Sequence, residues 1–492
     1  MALPFCAISR SRDAGGGAVH SIGSGQLSAV RNQAKLVGMH PDKTRNLLAD
    51  AAERGIRYLT DLNARSVYPE ASHIAHLEEL LLAPLSDGPT DASEVLSFID
   101  EFGSPATVAS AGGRYFGFVT GGALPASLAA NWLAGAWDQN CFGFVSSPTV
   151  ALFEDAALRW LKDVLRLPDN AEGALVTGAT MASFTCLAAA RHEVLRHAGW
   201  DVESRGLFGA PEITVVVGDE VHASILKVLA MLGLGRDRVK RVSVDEQGRM
   251  RAELMPEFGG PTIICLQAGN VNSGAFDPAT EIIPHARAKG AWVHVDGAFG
   301  LWARVSPSLA PLAKGFEAAD SWSTDAHKWL NVPYDCGVAF VREPEALRRA
   351  MSISGSYLML GERRDSIDVT PDSSRRARAI DVWAALKSLG RSGLAKLIED
   401  NCSQAKWIAN ELEKANVEVL NDIVLNQVVV AFGDDERTKK VISTLQRSGK
   451  CWFGGTTWHN RQAMRISISS WATSKDDLEK TLAAILEAHQ SQ

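Results

Sequence analysis

Two stretches near the middle of the chain decide the fold: WVHVDGAFG at residues 292–300 and DSWSTDAHKWLNVPYDCGVAFV at residues 320–341. Each begins with a short run that is typical of a buried strand, and each then reaches polar residues, Asp296 in the first and Lys328 in the second. Strands that are buried on both faces belong to parallel sheets covered by helices. Because ligands bind beyond the carboxyl ends of such strands, we expect Asp296 and Lys328 to lie in one site.

Strand, turn and helix alternate from about residue 172 to residue 341, which predicts an α/β fold with a mainly parallel seven-stranded sheet and helices on both faces. The predicted strands are residues 174–177, 213–217, 239–244, 262–266, 293–295, 321–324 and 337–341. The predicted domains are a disordered leader (1–35), an N-terminal helical segment (36–118), a large domain (119–368) and a small α+β C-terminal domain (369–492). The last domain begins with two predicted helices, 381–389 and 394–415.

The composition excludes several classes of protein. The 492-residue chain is 46% hydrophobic and 22% charged, as globular proteins are, and its net charge of −7 with scattered basic residues argues against nucleic acid as a partner. The longest apolar stretch, residues 122–137, is interrupted by Pro125 and Asn131, so it predicts a buried helix and no membrane span. The seven cysteines show neither disulfide nor metal-ligand spacing, which indicates a cytoplasmic protein without a bound metal.

Asp296 and Lys328 are the residue types that a pyridoxal 5′-phosphate (PLP) site needs. The apolar neighbours of Lys328 would lower its pKa and free its amine to form an imine with the aldehyde of the cofactor. The carboxylate of Asp296 would hold a proton on the ring nitrogen, so that the ring can accept electrons. Each residue alone has an ordinary explanation, as a surface lysine and as an acid paired with an arginine.

Further polar residues follow the ends of other predicted strands. Residues 177–180 (TGAT) precede a helix, where backbone N–H groups and the helix dipole can bind a phosphate. His222 can stack on a planar ring, although a histidine that caps a helix is the more frequent explanation, and Asn270 follows the next strand. The phosphate-binding turn, the histidine, the acid and the lysine follow one another on successive strand ends. This order favours a PLP site over the explanation that each residue has a separate, ordinary role.

The motifs around these residues resemble those of the group II PLP-dependent decarboxylases of the fold-type I superfamily, which include aromatic-L-amino-acid, glutamate and histidine decarboxylases. HVDGAFG is similar to the family's HVDAA(Y/W) strand, and DAHKW is similar to its (N/D)-x-H-K-W stretch. SRRARAIDVWAALKSLGRSGL, residues 374–394, resembles the segment that opens the C-terminal domain, and YFGFVTGG with FVSSP resembles the substrate-side motif. The resemblance covers residues 75–475, nearly the whole chain.

The resemblance implies a role for each matching residue. Lys328 would carry the cofactor, Asp296 would bind the ring nitrogen, and His222 would lie on one ring face, which makes these three the catalytic residues. Ala298 would press on the other face. The implied phosphate ligands are Ala179, Thr180, Asp325, His327 and, on the phosphate of a partner subunit, Ser374. The family is dimeric with active sites at the interface, so a homodimer is expected, with the N-terminal segment as an arm.

On the substrate side, Tyr115, Phe116, Phe118 and Trp458 predict a pocket that favours an aromatic side chain. A place in the core is the alternative explanation for such rings. Arg465, in MRISIS, resembles the arginine that binds carboxylates in fold-type I aminotransferases. A structural ion pair is the interpretation of Arg465 that we favour.

Two features depart from the family pattern. The loop at residues 359–371 contains no tyrosine, whereas many of these decarboxylases carry one there that protonates the intermediate after CO2 is lost. Asp325 stands where Asn or Ser is usual, and an acid there repels a phosphate unless it turns away or is neutralised.

We therefore expect decarboxylation of a small-molecule L-amino acid to its amine and CO2. The missing tyrosine leaves other PLP outcomes open: aldehyde-forming oxidative decarboxylation, carbon–carbon cleavage by a lyase or aldolase, or transamination. A third hypothesis, from another class, is a catalytically silent protein of this fold that acts as a binding partner.

Overall fold

The structure, a computed structural model, describes residues 41–352 and 363–492. The predicted leader over residues 1–35, and residues 359–362 of the tyrosine-free loop, lie outside the described residues. The chain divides into two compact units. Of the described residues, the first unit contains Pro41–Thr60 and Ser72–Ala106, and the second contains those within Asp61–Ala71 and Thr107–Gln492.

The first unit is helical. Its helices are α1 (Pro41–Thr60), α2 (Ala71–Leu81) and α3 (Ala92–Phe98), and no residue of the three is buried. Arg54 binds the carboxylates of Asp50 and Asp100, each at 2.9 Å. The unit ends at Ala106, earlier than the predicted helical segment over 36–118, because residues 107–118 pack in the second unit: the N–H of Phe116 donates to the carbonyl of Trp452.

The second unit contains two sheets and their covering helices. Its helices are α4 (Pro125–Trp137), α5 (Pro148–Val164), α6 (Ala179–His197), α7 (Val202–Arg205), α8 (Ala223–Met231), α9 (Ala279–Ala288), α10 (Pro344–Met351), α11 (Arg378–Lys414), α12 (Asp435–Ser448) and α13 (Lys475–Gln490). Its strands are β1 (Glu172–Val176), β2 (Thr214–Gly218), β3 (Lys240–Val242), β4 (Thr262–Gln267), β5 (Trp292–Asp296), β6 (Ser321–Asp325), β7 (Gly337–Val341), β8 (Glu418–Val419), β9 (Gln427–Ala431), β10 (Gly454–Trp458) and β11 (Arg461–Ser467).

The large sheet confirms the predicted architecture. Its seven strands lie in the order β1-β7-β6-β5-β4-β2-β3, and the neighbours from β6 to β3 are parallel. Only β7 runs against its neighbours, between β1 and β6. The register places Asp296 of β5 beside Gln267 of β4 and Ser323 of β6, so the carboxyl ends of the central strands lie at one edge.

Alternate residues of the central strands pack into two different hydrophobic cores. Val215 and Val217 of β2 pack on one face with α6 and α8, whereas Val216 packs on the other face with α5 and α11. Helix α6 is the central helix of its layer, and eleven of its residues are buried. Burying one aliphatic side chain contributes about 1.5–3 kcal/mol, so this two-sided burial explains why β-branched runs in the sequence became strands.

The small sheet is antiparallel, in the order β10-β11-β9-β8. It packs a third core with α12, α13 and the second half of α11. The two helices predicted at 381–389 and 394–415 are one continuous run in the structure, α11, interrupted at Gly390, whose φ is +62°. A glycine adopts this conformation without the strain of a Cβ, so the helix changes direction there without ending.

Helix α4 corrects the prediction of a buried helix at residues 122–137. Only Ser127 of this helix is buried, and Trp132, Leu133 and Trp137 are 44%, 57% and 41% exposed. Asn131 is anchored by a 2.9 Å hydrogen bond to the carboxylate of Asp381. The single chain thus presents a large apolar face on α4.

The described part of the chain, residues 41–352 and 363–492, contains six cysteines. The cysteines of that part, all but Cys6, are free and buried. No described helix is long and apolar enough to cross a membrane. Within residues 41–352 and 363–492, no group of three His, Cys, Asp or Glu side chains is arranged to hold a metal ion.

Candidate active site

Asp296, Asp325 and Lys328 lie at the carboxyl edge of the large sheet. Asp296 is the last residue of β5, Asp325 is the last residue of β6, and Lys328 lies on the turn that follows β6. The N–H of Asp325 donates to the carbonyl of Ala298 at 2.9 Å, which joins the two strand ends. Parallel pairing therefore brings together the acid and the lysine that the sequence predicted as one site.

Lys328 forms an ion pair with Asp325. Its Nζ lies 3.1 Å from Asp325 Oδ2, and the side chains are 21% and 3% exposed. The lysine amine therefore points into the protein and is neutralised by an acid three residues before it.

The phosphate-binding turn predicted at residues 177–180 lies against the same acid. The N–H of Ala179, the first residue of α6, donates to Asp325 Oδ1 at 2.6 Å. The N–H of Thr180 has no acceptor among the described residues. A helix N-terminus with an unused N–H group is suited to bind an anion.

Gly337 allows β7 to approach this turn. A Cβ on Gly337 would lie 2.3 Å from the carbonyl carbon of Gly178 and 2.5 Å from its Cα. Because both contacts are with backbone, any side chain at residue 337 would push the turn and β7 apart. The glycine thus holds the N-terminus of α6 beside the turn that carries Lys328.

His327 presents a hydrogen-bond donor to this anion site. Its Nδ1 accepts the N–H of Cys336 at 3.1 Å, so the proton of the neutral ring is on Nε2. Nε2 lies 3.4 Å from Asp325 Oδ1, and Tyr334 stacks on the ring with centroids 4.4 Å apart. Burial lowers the pKa of His327, although Asp325 opposes this, so the ring is neutral near neutral pH.

Asp296 is a buried carboxylate without a cation. It is 7% exposed, and its Oδ1 accepts the N–H of Ala298 at 3.2 Å. No Lys, Arg or His nitrogen in the described residues lies within 4 Å of it. An acid in this position needs a partner, because burying an unpaired charge is costly.

His222 caps α8 and also faces the charges of the site. Its Nδ1 accepts the N–H of Ser224 at 3.3 Å, and the ring is exposed in the single chain. Partial removal from water lowers the pKa of His222; Asp296 opposes this shift, and Lys328 and Arg465 add to it. The capping role and the predicted stacking role are therefore compatible.

Asn270 and Ser374 do not contact this cluster in the single chain. Asn270 is buried and its Oδ1 accepts the N–H groups of Asn272 and Ser273, so it closes its own turn after β4. Ser374 is exposed in a separate cleft of about 570 Å³ with Asn131, Asn140 and Arg376. Its predicted role on the phosphate of a partner subunit stays a prediction.

A wall of three aromatic rings, which we call the aromatic wall, consists of Tyr115, Phe118 and Trp452. Tyr115 stacks on Trp452 with centroids 5.1 Å apart and planes 13° apart, and Phe118 lies 5.4 Å from the same indole. A Cβ on Gly117 would lie 2.2 Å from the indole of Trp452, so the glycine admits this packing. Trp452 was not among the predicted site residues. The aromatic pair in CWFGG is the feature of the sequence that could have indicated it.

Phe116 and Trp458 are core residues rather than pocket residues, which corrects their prediction. Phe116 is 1% exposed and stacks on Phe453 within the core of the small sheet. Trp458 is 2% exposed. Successive side chains of an extended segment point in opposite directions, so Phe116 cannot share a face with Tyr115.

Arg465 has no ionic partner among the described residues, so these residues do not contain the ion pair that we favoured from the sequence. Its Nη1 donates to the carbonyl of Val271 at 3.0 Å, and no carboxylate in the described chain lies within 4 Å of its guanidinium. Burial lowers the pKa of Arg465. A guanidinium that is partly removed from water and lacks a counterion is suited to bind a carboxylate from outside the chain.

The residues of this edge fit PLP. Asp296 lacks a cation and can accept the proton of a pyridine nitrogen, Lys328 lies nearby, and Thr180 and His327 offer unused N–H donors for a phosphate. The sheet order and the site together define a PLP-dependent enzyme of the α/β class.

Comparisons with known proteins support this class. Residues 104–432 match the model of the pyridoxal-dependent decarboxylase conserved domain. An aromatic-L-amino-acid decarboxylase of Bacillus atrophaeus is 25% identical over 390 residues, 74% of this chain and 79% of that protein. A histidine decarboxylase of Drosophila melanogaster is 29% identical over 461 residues, 86% of this chain and 52% of that protein.

A solved structure shares the fold. The crystal structure of Oryza sativa TDC with PLP and tryptamine is 22% identical, covers 92% of this chain and 99% of that chain, and has a TM-score of 0.84. The chain belongs to the pyridoxal-dependent decarboxylase family. It is a carboxy-lyase with PLP as cofactor, and its general reaction is PLP-dependent amino-acid decarboxylation.

Proposed function

We propose that this enzyme decarboxylates an L-amino acid to its amine and CO2, with Arg465 on the substrate carboxylate and the substrate side chain against the aromatic wall. The observation that carries this proposal is the guanidinium of Arg465, which has no carboxylate within 4 Å among the described residues and whose charge lowers the pKa of His222. An amino acid brings the carboxylate that this guanidinium lacks.

The cofactor supplies an electron sink when it is bound. Asp296 would keep a proton on its ring nitrogen, and His222 would cover one face of the ring. Thr180 N–H and His327 Nε2–H would donate to its phosphate. Lys328 would hold the cofactor covalently, and its amine would also carry protons to and from the substrate.

The aromatic wall favours an aromatic side chain on the substrate. Phe118 is 61% exposed and the stacked pair behind it is buried on one side, so the wall offers a flat apolar surface. Offset or edge packing of a further ring on such a surface contributes about 0.5–1.5 kcal/mol. An aromatic substrate is therefore preferred over an aliphatic one of equal size.

The second candidate is aldehyde-forming oxidative decarboxylation of the same substrate. The observation that favours it is the absence of tyrosine from residues 359–371, because a missing proton donor prolongs the electron-rich state after CO2 is lost. Molecular oxygen would be the required oxidant, and ammonia and peroxide would accompany the aldehyde.

A panel of L-amino acids incubated with the cofactor-loaded enzyme tests both candidates. CO2 with an equal amount of amine supports the proposal. CO2 with aldehyde, ammonia and oxygen consumption supports the second candidate, and keto acid without CO2 contradicts both. The Lys328→Ala variant is the control for reactions of free cofactor.

We also infer that the enzyme is a homodimer, whose interface includes the exposed face of α4. This face carries Trp132, Leu133 and Trp137 next to the cleft that contains Ser374. Exposed apolar patches of this kind mark interaction surfaces. Sedimentation of the wild type and of Leu133→Asp tests the inference: a dimer that dissociates in the variant supports it, and a wild-type monomer contradicts it.

A further inference from the structure

Asp325 fills the place where an anion would bind. Its Oδ1 accepts the first N–H of α6 at 2.6 Å, and its Oδ2 lies 3.1 Å from the ammonium of Lys328. His327 Nε2 lies 3.4 Å from the same oxygen, Asp325 Oδ1. Three donors that suit a phosphate are thus already arranged around one internal acid, which is 2% exposed.

We propose that Asp325 is an internal competitor of the cofactor phosphate: its carboxylate occupies the anion site and pairs with Lys328 in the cofactor-free enzyme, and cofactor binding neutralises it by uptake of a proton. The inference rests on PLP binding but not on which bond of the substrate breaks. Product analysis can therefore fail without affecting it.

The physical reason is repulsion between like charges. A phosphate at the N-terminus of α6 would bring nearly two negative charges next to a buried carboxylate. Lys328 neutralises Asp325 only while its ammonium remains there, and the lysine is also the group that must reach the cofactor. A proton on Asp325 removes the repulsion and turns the acid into a donor to the phosphate.

The other titratable groups near Asp325 do not supply a second cation that could replace Lys328, because the pKa values of His327 and His222 are lowered. They are Lys328 and His327 on its own turn, Asp296 at the end of β5, His222 at the start of α8, and Tyr334, Asp335 and Cys336 on the loop that leads to β7. Asp335 is engaged by Arg378 at 3.0 Å. Cys336 is buried, and burial raises the pKa of its thiol.

The test measures binding of inorganic phosphate and of PLP to the cofactor-free full-length enzyme by calorimetry. The variant is Asp325→Asn, which keeps the shape and removes the charge. In mildly alkaline buffer, Asp325→Asn should bind inorganic phosphate roughly tenfold more tightly than the wild type, because the repulsion between the carboxylate and the phosphate is removed. In mildly acidic buffer the difference should shrink, because the wild-type acid is then protonated at less cost.

Proton uptake is measured on the wild type itself, so the test does not depend on how the variant folds. Repeating the titrations in buffers of different ionisation enthalpy gives the number of protons bound with the ligand. The wild type should take up more protons than Asp325→Asn does at the same pH. The matched control is Asp335→Asn, which removes a neighbouring charge without freeing the N–H of Ala179, and it should behave as the wild type does.

Two results would overturn the proposal. One is equal or weaker phosphate binding by Asp325→Asn, with circular dichroism showing a folded protein, since the carboxylate would then support the site rather than compete for it. The other is the same proton uptake in the wild type and in Asp325→Asn.

Discussion

The carboxyl edge of the large sheet and the aromatic wall are built in different ways. The edge takes Asp296, Asp325 and Lys328 from neighbouring strands, whose register places them side by side. The wall takes Tyr115 and Phe118 from one segment and Trp452 from another, more than half of the chain away. Ring packing and two backbone hydrogen bonds, Phe116 N–H to Trp452 O and Trp452 N–H to Arg114 O, join the two segments. Local order along a sheet therefore sets the cofactor side, and long-range packing sets the substrate side.

Lys328→Ala should have the largest effect of the variants proposed here, and it acts on the cofactor side. We expect loss of the absorption band of lysine-bound cofactor and a fall in activity of more than about 10²–10⁴-fold, the range of a lost proton-transfer group. The fold should be retained, because the side chain lies on a turn and is 21% exposed. Absorption and circular dichroism measure the two effects.

The control for this variant is Lys314→Ala, which removes an exposed lysine outside the site. It should keep the absorption band. A Lys328→Ala protein that still shows the lysine-bound band would mean that another lysine carries the cofactor.

Gly337→Ala should disturb the cofactor side by displacing the backbone of the phosphate turn. The new Cβ would overlap the backbone of Gly178, so β7 and the phosphate turn must separate. We expect a loss of about 1–3 kcal/mol in the free energy of unfolding and weaker cofactor binding. Thermal unfolding with and without PLP measures both.

Gly259→Ala is the matched control, because a Cβ there meets no atom within 4 Å. Its stability and its cofactor affinity should equal those of the wild type. If Gly337→Ala binds PLP as tightly as this control does, the close approach of β7 does not shape the phosphate turn.

Arg465→Met tests the substrate side separately, because we place Arg465 on that side. The variant should leave cofactor binding unchanged. A hydrogen bond to a charged group contributes about 1.5–3 kcal/mol, so we expect kcat/KM to fall roughly tenfold to hundredfold while PLP affinity is unchanged. Steady-state kinetics and a PLP titration of the same preparation separate the two. A parallel loss of PLP affinity would place Arg465 on the cofactor side.

Trp452→Leu should have the smallest effect. Removing the central ring of the aromatic wall should lower kcat/KM for an aromatic substrate by about 0.5–1.5 kcal/mol relative to an aliphatic one, a change of a few-fold. The ratio of the two rates, measured by competition in one mixture, reports the change.

Phe208→Ala, which alters a ring that is 98% exposed, is the control for Trp452→Leu. It should not move the ratio. If the ratio is also unchanged in Trp452→Leu, the aromatic wall is not part of the substrate pocket.

The sequence predicted the cofactor side well because its signals are local. Each strand of the large sheet is a short apolar run, and the residue after the run marks the edge of the sheet, as Asp296 does after Val295. The mainly parallel seven-stranded sheet is confirmed by the structure and by the shared fold. The roles of the individual site residues stay predictions. Asp325 and Lys328 are paired at one edge of the sheet, whereas Asn270 and Ser374 do not contact them.

The substrate side was predicted less well because its signals are not local. Phe116 and Phe118 looked equivalent in the sequence, but Phe118 has a φ of +53° and turns outward, whereas Phe116 packs on Phe453. Spacing carries no information on a reversal of this kind. The ion pair assigned to Arg465 is absent from the described residues, and the sequence could not indicate this, since only the tertiary structure shows which acids come near it.

The place of β7 in the large sheet has a consequence for the order in which the protein forms. β1 pairs with β7 alone, so residues 172–176 have no strand partner until residues 337–341 have left the ribosome. Pairs so distant in the chain form slowly, because a long loop must close first. Gly337 of β7 lies against the backbone of Gly178, so the phosphate turn is complete only when β7 is in place. We therefore expect newly made chains to bind the cofactor late in folding, after β1 and β7 have paired.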